Sequence, residues 1–467
     1  MSISDSNPES LPGYKKILFA AGNFGWSLGT YGVANLVTYF YLPNIVNGTS
    51  MFPAFIFRGA VFLGLTILGL IIASGRLFDA ITDPLVAGWS DRSKARLGKR
   101  RFFMAIGGLP LALLSVLVFT PPFQNAGTGN AIYIAVMLFL YYLAFTVYVA
   151  PYSALISELG HSPNERLDLS TYNSVAWALG FTLGNTVYPL QGIFEQNGFS
   201  SQQAFQLVMA LFALLSLIAL YLPVIFIDER RYSKSHSSSE GSLRAMLSSL
   251  QNVDFRTFLF SELSYWFALT FIQTGISYYV ISLLGLDKSF ATVIMTVLFL
   301  VSFLFYLPIN LFAKRFGKKA TEMVGFAAFA LVYIMVLFLG KLPLPPMLQG
   351  YIIAIMGALP MAIFGIIPVA IIADVAEADG RKTGNYKAGI FYAMRGLFMK
   401  IGASTAGLLF PSIIILGSGQ VNAFGIRLTG AVALAFCALG FLLIVRYDEK
   451  RVLADLQDET AAAAGRR

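Results

Sequence analysis

The 467 residues include one cysteine, Cys437, and two histidines, His161 and His236. A lone thiol excludes an intramolecular disulfide and any cysteine-cluster metal site. Both histidines fall in polar stretches between apolar runs, so neither a histidine metal site nor a histidine-based catalytic triad is expected. Charge is scarce as well: Asp, Glu, Lys and Arg make up 12% of the chain, against roughly 25% in a soluble globular domain. That deficit excludes an ordinary soluble protein. A cleavable signal peptide is not expected, because residues 1–13 are polar and the first apolar run is too long for a signal h-region.

In place of charge the chain has apolar length. Hydrophobic residues reach 57% and mean hydropathy is +0.70. A membrane-spanning helix needs about 20 predominantly apolar residues. Twelve such spans are expected, at 17–42, 60–88, 102–119, 131–157, 172–195, 203–227, 257–284, 289–313, 320–340, 347–372, 388–416 and 422–446. Polar or Gly/Pro punctuation follows nearly every one. Assigning the loops alternately to two sides puts 26 of the 33 Lys and Arg on one side, and only Arg58, Lys288 and Lys341 on the other. Basic residues are in excess on the cytoplasmic side. Both termini are therefore expected in the cytoplasm, in a multi-pass protein of a cell or inner membrane. The net charge of +9 follows from this topology and calls for no nucleic-acid partner.

The expected organisation is a disordered tail over 1–13, a six-helix bundle over 14–227, a cytoplasmic linker over 228–256, a second six-helix bundle over 257–446 and a cytoplasmic tail over 447–467 that frays toward its end. The linker carries a Ser-rich run and a short amphipathic helix around Leu243–Leu250. Two echoes imply the duplication. Gly98-Lys99-Arg100-Arg101 after span 2 returns in shorter form as Gly317-Lys318-Lys319 after span 8. In spans 4 and 10, Pro151 and Pro368 each precede an acidic residue, Glu158 and Asp374, by six or seven positions. Features six helices apart suit two homologous halves, as in many secondary transporters.

The chain's chemistry concentrates in span 2, at Arg76-Leu77-Phe78-Asp79-Ala80-Ile81-Thr82-Asp83-Pro84. A charged side chain at the bilayer centre costs roughly 2.5–3.5 kcal/mol on insertion scales, so three on one helix mark an ion or substrate path. At about 100° per residue, Asp79 and Asp83 lie about 40° apart and Arg76 about 20° from Asp83, so the three share a face. If the helix ends near Asp91, Asp83 and Asp79 lie roughly 12 and 18 Å from that end, astride the midplane. The bland alternative is a buried ion pair that only locks helices together. In span 11, Lys400 stands roughly 19 Å from Lys387 by helical rise, at the depth of Asp79. Span 1 is unusually polar, with Asn23, Trp26, Ser27, Tyr31 and Asn35, which suits either a cavity wall or interhelical hydrogen bonds.

Together, Arg76 through Pro84, the basic loop ending Gly98-Lys99-Arg100-Arg101, the run Pro151-Tyr152-Ser153-Ala154-Leu155, and the segment from Ala373-Asp374 through Thr383-Gly384 to Lys400 resemble the glycoside-pentoside-hexuronide:cation symporters of the major facilitator superfamily. The resemblance covers essentially the whole chain. It implies an all-α integral membrane protein of twelve transmembrane helices in two pseudo-symmetric six-helix halves, acting as a monomer in the lipid bilayer. It also implies coupled transport of a small-molecule substrate with a monovalent cation, Na⁺ or H⁺, with no other cofactor. Positions matching the family's cation site are Asp79 and Asp83, with Thr82 between them and Thr146 on span 4. The family's charge partner on span 11 matches Lys400, and Arg76 is taken with it as a charge-coupling residue. The residues agree, since two neighbouring carboxylates cannot both stay charged without a cation, a proton or a lysine.

Candidate substrate contacts are Asn23, Trp26, Ser27, Tyr31, Val149, Tyr152, Asn173, Trp177, Arg395 and Lys400. Where the family's melibiose-transporting members carry carboxylates on spans 1 and 4, this chain has Ser27 and Val149, and where span 5 often has Arg it has Asn173. A melibiose-like galactoside is therefore not the expected substrate. A sugar or glycoside is the leading expectation. A related lysolipid-transporting branch keeps the aspartate pair and the lysine, which leaves an amphiphile as the alternative, and Arg395 with Lys400 would suit an anionic group. An uncoupled scramblase or sensor on the same fold is the rival class. An enzyme is not expected, because no nucleophile and base motif occurs.

Overall fold

The computed structural model describes residues 9–46, 49–161, 163–233, 249–383, 388–416 and 420–464. The chain is helical nearly throughout. In order come α1 (Gly13–Asn35), α2 (Val37–Tyr41), α3 (Ile67–Arg92), α4 (Lys99–Leu117), α5 (Thr128–Leu159), α6 (Pro163–Gly184), α7 (Val187–Gln196), α8 (Ser201–Phe226) and α9 (Glu229–Tyr232). Then come α10 (Val253–Tyr278, continued by a π-turn at Tyr279–Leu283), α11 (Ser289–Phe316), α12 (Lys318–Phe338), α13 (Pro346–Thr383), α14 (Ala388–Ile414), α15 (Ala423–Arg446) and α16 (Glu449–Ala464). Among the described residues, nine helices are long and apolar enough to cross a membrane. The long helices α1, α3 and α6 fall outside that set, and they carry much of the candidate site's polar chemistry.

The structure shifts several expected boundaries. Residues 60–66, expected at the start of span 2, form an antiparallel ribbon instead. Ala60–Phe62 pairs with Leu65–Thr66, Ala60 facing Thr66. The reversal occurs at Leu63 and Gly64, both with positive φ. Span 5 begins nine residues early at Pro163 and is broken at Asn185–Thr186, where the Asn185 side chain accepts from the Tyr31 hydroxyl. Span 10 runs on to Thr383, through residues expected in a loop. The expected fraying tail is helix α16. Arg451 of α16 forks onto both oxygens of Asp254 at 2.7 Å, and Lys382 pairs with Asp455 at 2.6 Å. Residues 9–12 of the expected disordered tail are tied down. Leu11 is buried, Glu9 pairs with Arg231 at 2.8 Å, and the Ser10 hydroxyl donates to Glu165 at 2.7 Å. Lys387, the Ser-rich run and the expected helix at Leu243–Leu250, except its last two residues, lie outside the described residues.

The chain divides into two compact units. The first comprises Met1–Pro43, Ser50–Phe57 and Ser74–Ser239, and the second comprises Asn44–Thr49, Arg58–Ala73 and Glu240–Arg467. In the first, α1 packs on α6 and α8, and α4 on α5 and α8. Its core is aromatic: Phe40 stacks on Phe55 and Phe205 at 5.3 and 5.2 Å between centroids. In the second, α10 packs on α14 and α15, α12 on α13 and α15, and α11 on α13. There Phe267 stacks on Phe436 at 3.7 Å and Tyr265 on Phe364 at 4.0 Å.

Each unit repeats one device. Gly98 (φ 114°) and Gly317 (φ 92°) turn the chain into α4 and α12. The Glu229 carboxylate accepts from the backbone N–H groups of Arg100 and Arg101 at 2.9 and 2.8 Å, and Glu449 accepts from those of Lys318 and Lys319 at 2.7 and 3.1 Å. A carboxylate suits the unsatisfied donors and positive pole of a helix N-terminus. Basic side chains of the same turns reach the acidic residues of the second echo: Lys99 and Arg100 meet Glu158 at 3.2 and 3.1 Å, and Lys318 meets Asp374.

Candidate functional site

Asp79 and Asp83 stand four residues apart on α3, so both side chains project from one face. Facing them from α5 is Thr146, fully buried at 0% exposure. Its hydroxyl lies 2.6 Å from Asp79 Oδ1 and 3.1 Å from Asp83 Oδ1. The carboxylates thus come inside the roughly 4–6 Å over which like charges strongly affect one another. Thr82 completes the group: its hydroxyl lies 3.3 Å from that of Thr146 and donates to the Asp79 carbonyl at 3.1 Å. Asp79 is 4% exposed. One turn on, Pro84 has no N–H to donate to the Ala80 carbonyl.

A threonine hydroxyl carries a single proton, so it serves one of the two carboxylates at a time. Two carboxylates and two hydroxyls form an oxygen-only donor set, which suits a hard cation or a proton. Arg76, one turn before Asp79, donates from Nη2 to the Ala34 carbonyl at 3.2 Å. That carbonyl belongs to the last turn of α1, where a cation complements the negative end of the helix.

The expected substrate contacts divide. Several of their polar atoms hold helices together. Asn23 Nδ2 donates to the Asn173 carbonyl at 2.7 Å and the Ser27 hydroxyl to the Trp177 carbonyl at 2.8 Å, joining α1 to α6. The Tyr31 hydroxyl donates to Asn185 Oδ1 at 2.8 Å. The Tyr152 hydroxyl lies on the Phe19 carbonyl at 2.8 Å and against Asn173 Oδ1. Val149 is half-buried on α5, and Trp177 stacks on Phe181 at 5.3 Å. Trp26 meets Phe145 edge-on, and its indole N–H has no acceptor among the described residues.

Arg395 and Lys400 lie on α14 of the second unit. Lys400 is half-buried. Arg395 is engaged by Glu262 of α10: its Nε donates to both carboxylate oxygens, at 2.7 and 2.9 Å. Sequence reasoning missed Glu262, although it is an acid within span 7 and legible by the same argument that singles out Asp79. Glu322 of α12 is a second such residue, buried with Oε1 unpartnered among the described residues.

Residues 18–448 match the family described as MFS/sugar transport protein. The chain belongs to that family. Within it, relatives named as symporters assign the transporter to the glycoside-pentoside-hexuronide:cation group. It is 25% identical over 433 residues to the isoprimeverose transporter of Lactiplantibacillus pentosus, covering 88% of each chain. It is 22% identical over 501 residues to the sodium-dependent lysophosphatidylcholine symporter 1 of Xenopus tropicalis, covering 96% of this chain and 90% of that one. Among solved structures, the nucleoside transporter NupG superposes with a TM-score of 0.64 at 13% identity, over 94% of this chain and 100% of that one. That likeness shows the major facilitator fold. The protein is a multi-pass membrane transporter of a symporter family.

Proposed function

We propose that the transporter couples a monovalent cation, Na⁺ or H⁺, to the symport of a small organic solute, a sugar or glycoside, by alternating access of two six-helix halves. It crosses the membrane twelve times with both termini in the cytoplasm and works as a monomer. The observation that carries the reading is the single Thr146 hydroxyl set between the Oδ1 atoms of Asp79 and Asp83. Two carboxylates drawn this close repel one another when both are charged, and a cation ligated by these oxygens and by Thr82 relieves that repulsion. Lys400 is the charge that couples cation binding to the substrate site. A lysophospholipid-like amphiphile is the second reading, favoured by the similarity to the lysophosphatidylcholine symporter along nearly the whole chain.

The test is a thermal-stability screen of the purified protein against Na⁺, Li⁺ and pH, and then against glycosides, uronates and lysophospholipids, in wild type and Asp83→Asn. A ligand that binds the folded state raises the melting temperature by mass action. A Na⁺-dependent rise that disappears in Asp83→Asn supports sodium coupling at the pair, and a pH-dependent change lost in the same variant supports proton coupling. Dependence on neither ion refutes the coupling.

A further inference from the structure

Three charged side chains act on one another within the second unit: Glu262 on α10, Glu322 on α12 and Arg395 on α14. Glu262 is 3% exposed and Glu322 1%. Arg395 serves the first of them. Its Nε donates to both Glu262 oxygens at 2.7 and 2.9 Å, its Nη2 approaches Oε1 at 2.5 Å, and the Trp266 indole N–H donates to Oε1 at 3.4 Å. Glu322 keeps Oε1 buried and without a partner among the described residues. With both acids ionised, negative charge outnumbers positive in this group.

The surrounding charges do not balance Glu322. Arg395 attracts it, whereas Glu262 and, from α16, Glu449 repel it. Glu449 already occupies the positive pole of α12, accepting from the Lys318 and Lys319 N–H groups at 2.7 and 3.1 Å. Lys318, one turn before Glu322, carries its ammonium to Asp374 and the Ala370 carbonyl of α13. The other titratable neighbours are phenols. Tyr447, after α15, feels the Glu322 charge, and Tyr265 of α10 feels Glu262, Arg395 and Tyr306 of α11. One turn beyond Glu322 the wall is apolar. Phe326 meets Phe364 at 4.7 Å between centroids, and a Cβ at Gly440 of α15 would lie 2.3 Å from the Phe326 ring.

An ionised carboxylate buried without a hydrogen bond is costly, and within a membrane it marks function by default. A metal cation or a proton would remove the cost. A hard metal cation takes a shell of several oxygens, and among the described residues no three acidic, histidine or cysteine side chains converge to hold one. A proton needs a single carboxylate oxygen. The fold itself does not require an acid at this place. Counted from the paired turns at Gly98 and Gly317, the position that matches Glu322 in the first unit is Phe103.

We propose that Glu322 is a proton-binding site of the second unit, separate from the Asp79 and Asp83 pair, whose proton leaves Arg395 wholly to Glu262. The proton comes from water and bonds to a Glu322 carboxylate oxygen, and no other covalent bond changes. When it departs, the Glu322 anion competes with Glu262 for Arg395, and the pairing among α10, α12 and α14 changes. The transporter therefore responds to pH even when another cation is coupled at the aspartate pair. The proposal rests on the membrane-transporter assignment and not on the proposed symport.

The experiment is infrared spectroscopy of the purified full-length protein over a pH series, reading the carbonyl stretch of protonated carboxyl groups. Glutamate carrying a heavy carbon isotope at its side-chain carboxyl separates glutamate signals from those of Asp79 and Asp83. The expected result is a label-sensitive band at neutral pH that is lost in Glu322→Gln and kept in Asp83→Asn. Thermal melting supplies a second readout. Above the ordinary glutamate value of about 4.3, the unfolded chain has released this proton while the folded one holds it. Stability then falls as pH rises, until folded Glu322 releases the proton too. Relative to Glu322→Gln, the wild-type folding equilibrium is expected to weaken about tenfold per pH unit in that window. Gln has the shape of a protonated Glu, so a Glu322→Gln protein that fails to fold counts against the proposal.

The proposal is overturned if no glutamate-derived band appears, if the band survives in Glu322→Gln, or if wild type and Glu322→Gln melt in parallel over the series. Failure of symport reads differently. A wild type whose melting temperature ignores added cations sinks coupling at the aspartate pair and leaves the Glu322 band standing. A pH response confined to Asp83 keeps proton coupling at the pair and sinks this site.

Discussion

Thr146 is the side chain on which the aspartate pair turns. A hydrogen bond to a charged group contributes about 1.5–3 kcal/mol, and here one hydroxyl touches two carboxylates. Thr146→Val keeps the shape and deletes that hydroxyl. Its expected effect is a cation affinity about tenfold lower or worse, read as a rightward displacement of the cation-dependent melting curve; an unchanged curve would remove Thr146 from the site. The aspartates were legible because charge within an apolar run is costly and rare. Thr146 entered only through family resemblance, since one hydroxyl in an apolar helix carries no signal of its own. The fates of Asn23, Ser27, Tyr31 and Asn173 were not legible. Their spacing suits a cavity wall and an interhelical seam equally, and only the seating of α1 against α6 shows the seam.

Among the elements, α4 and α12 show how a distant carboxylate can begin a helix. Neither has a side-chain cap of its own, and Glu229 and Glu449 fill that role from far along the chain. A Cβ at Gly98 would lie 2.4 Å from Glu229 Oε2, and one at Gly317 would lie 2.6 Å from Glu449 Oε2, so both turns exclude a side chain on space as well as on φ. Loss of a helix cap costs about 0.5–2 kcal/mol. Glu229→Ala and Glu449→Ala are each expected to lower the thermal midpoint by a corresponding few degrees, with the cation-induced rise retained. A midpoint equal to wild type would mean that water caps these helices adequately. The sequence does carry this duplication, as Asp228-Glu229-Arg230-Arg231 and Asp448-Glu449-Lys450-Arg451. Its meaning was hidden because the partner glycine turns lie far away along the chain.

For the molecule as a whole, the decisive prediction is accumulation. Reconstituted vesicles with an inward cation gradient should concentrate the solute above its external level, and Asp79→Asn or Asp83→Asn should abolish this; a scramblase would only equilibrate it. Composition alone determined that the chain is a membrane protein, because so little charge and so much apolar length cannot fold around a single water-facing surface. Sequence also determined the helix that bears the aspartate pair and the face the two share, because helical periodicity is local. Tertiary structure decided which polar groups are spent and which remain. It engaged Arg395 with Glu262, used Asn23, Ser27 and Tyr31 to bind helices, and left Trp26 and Arg76 with donors to offer. The physical reason is that hydrogen bonding is pairwise and short-ranged, so a residue's availability depends on partners that only the packed helices bring within about 3 Å.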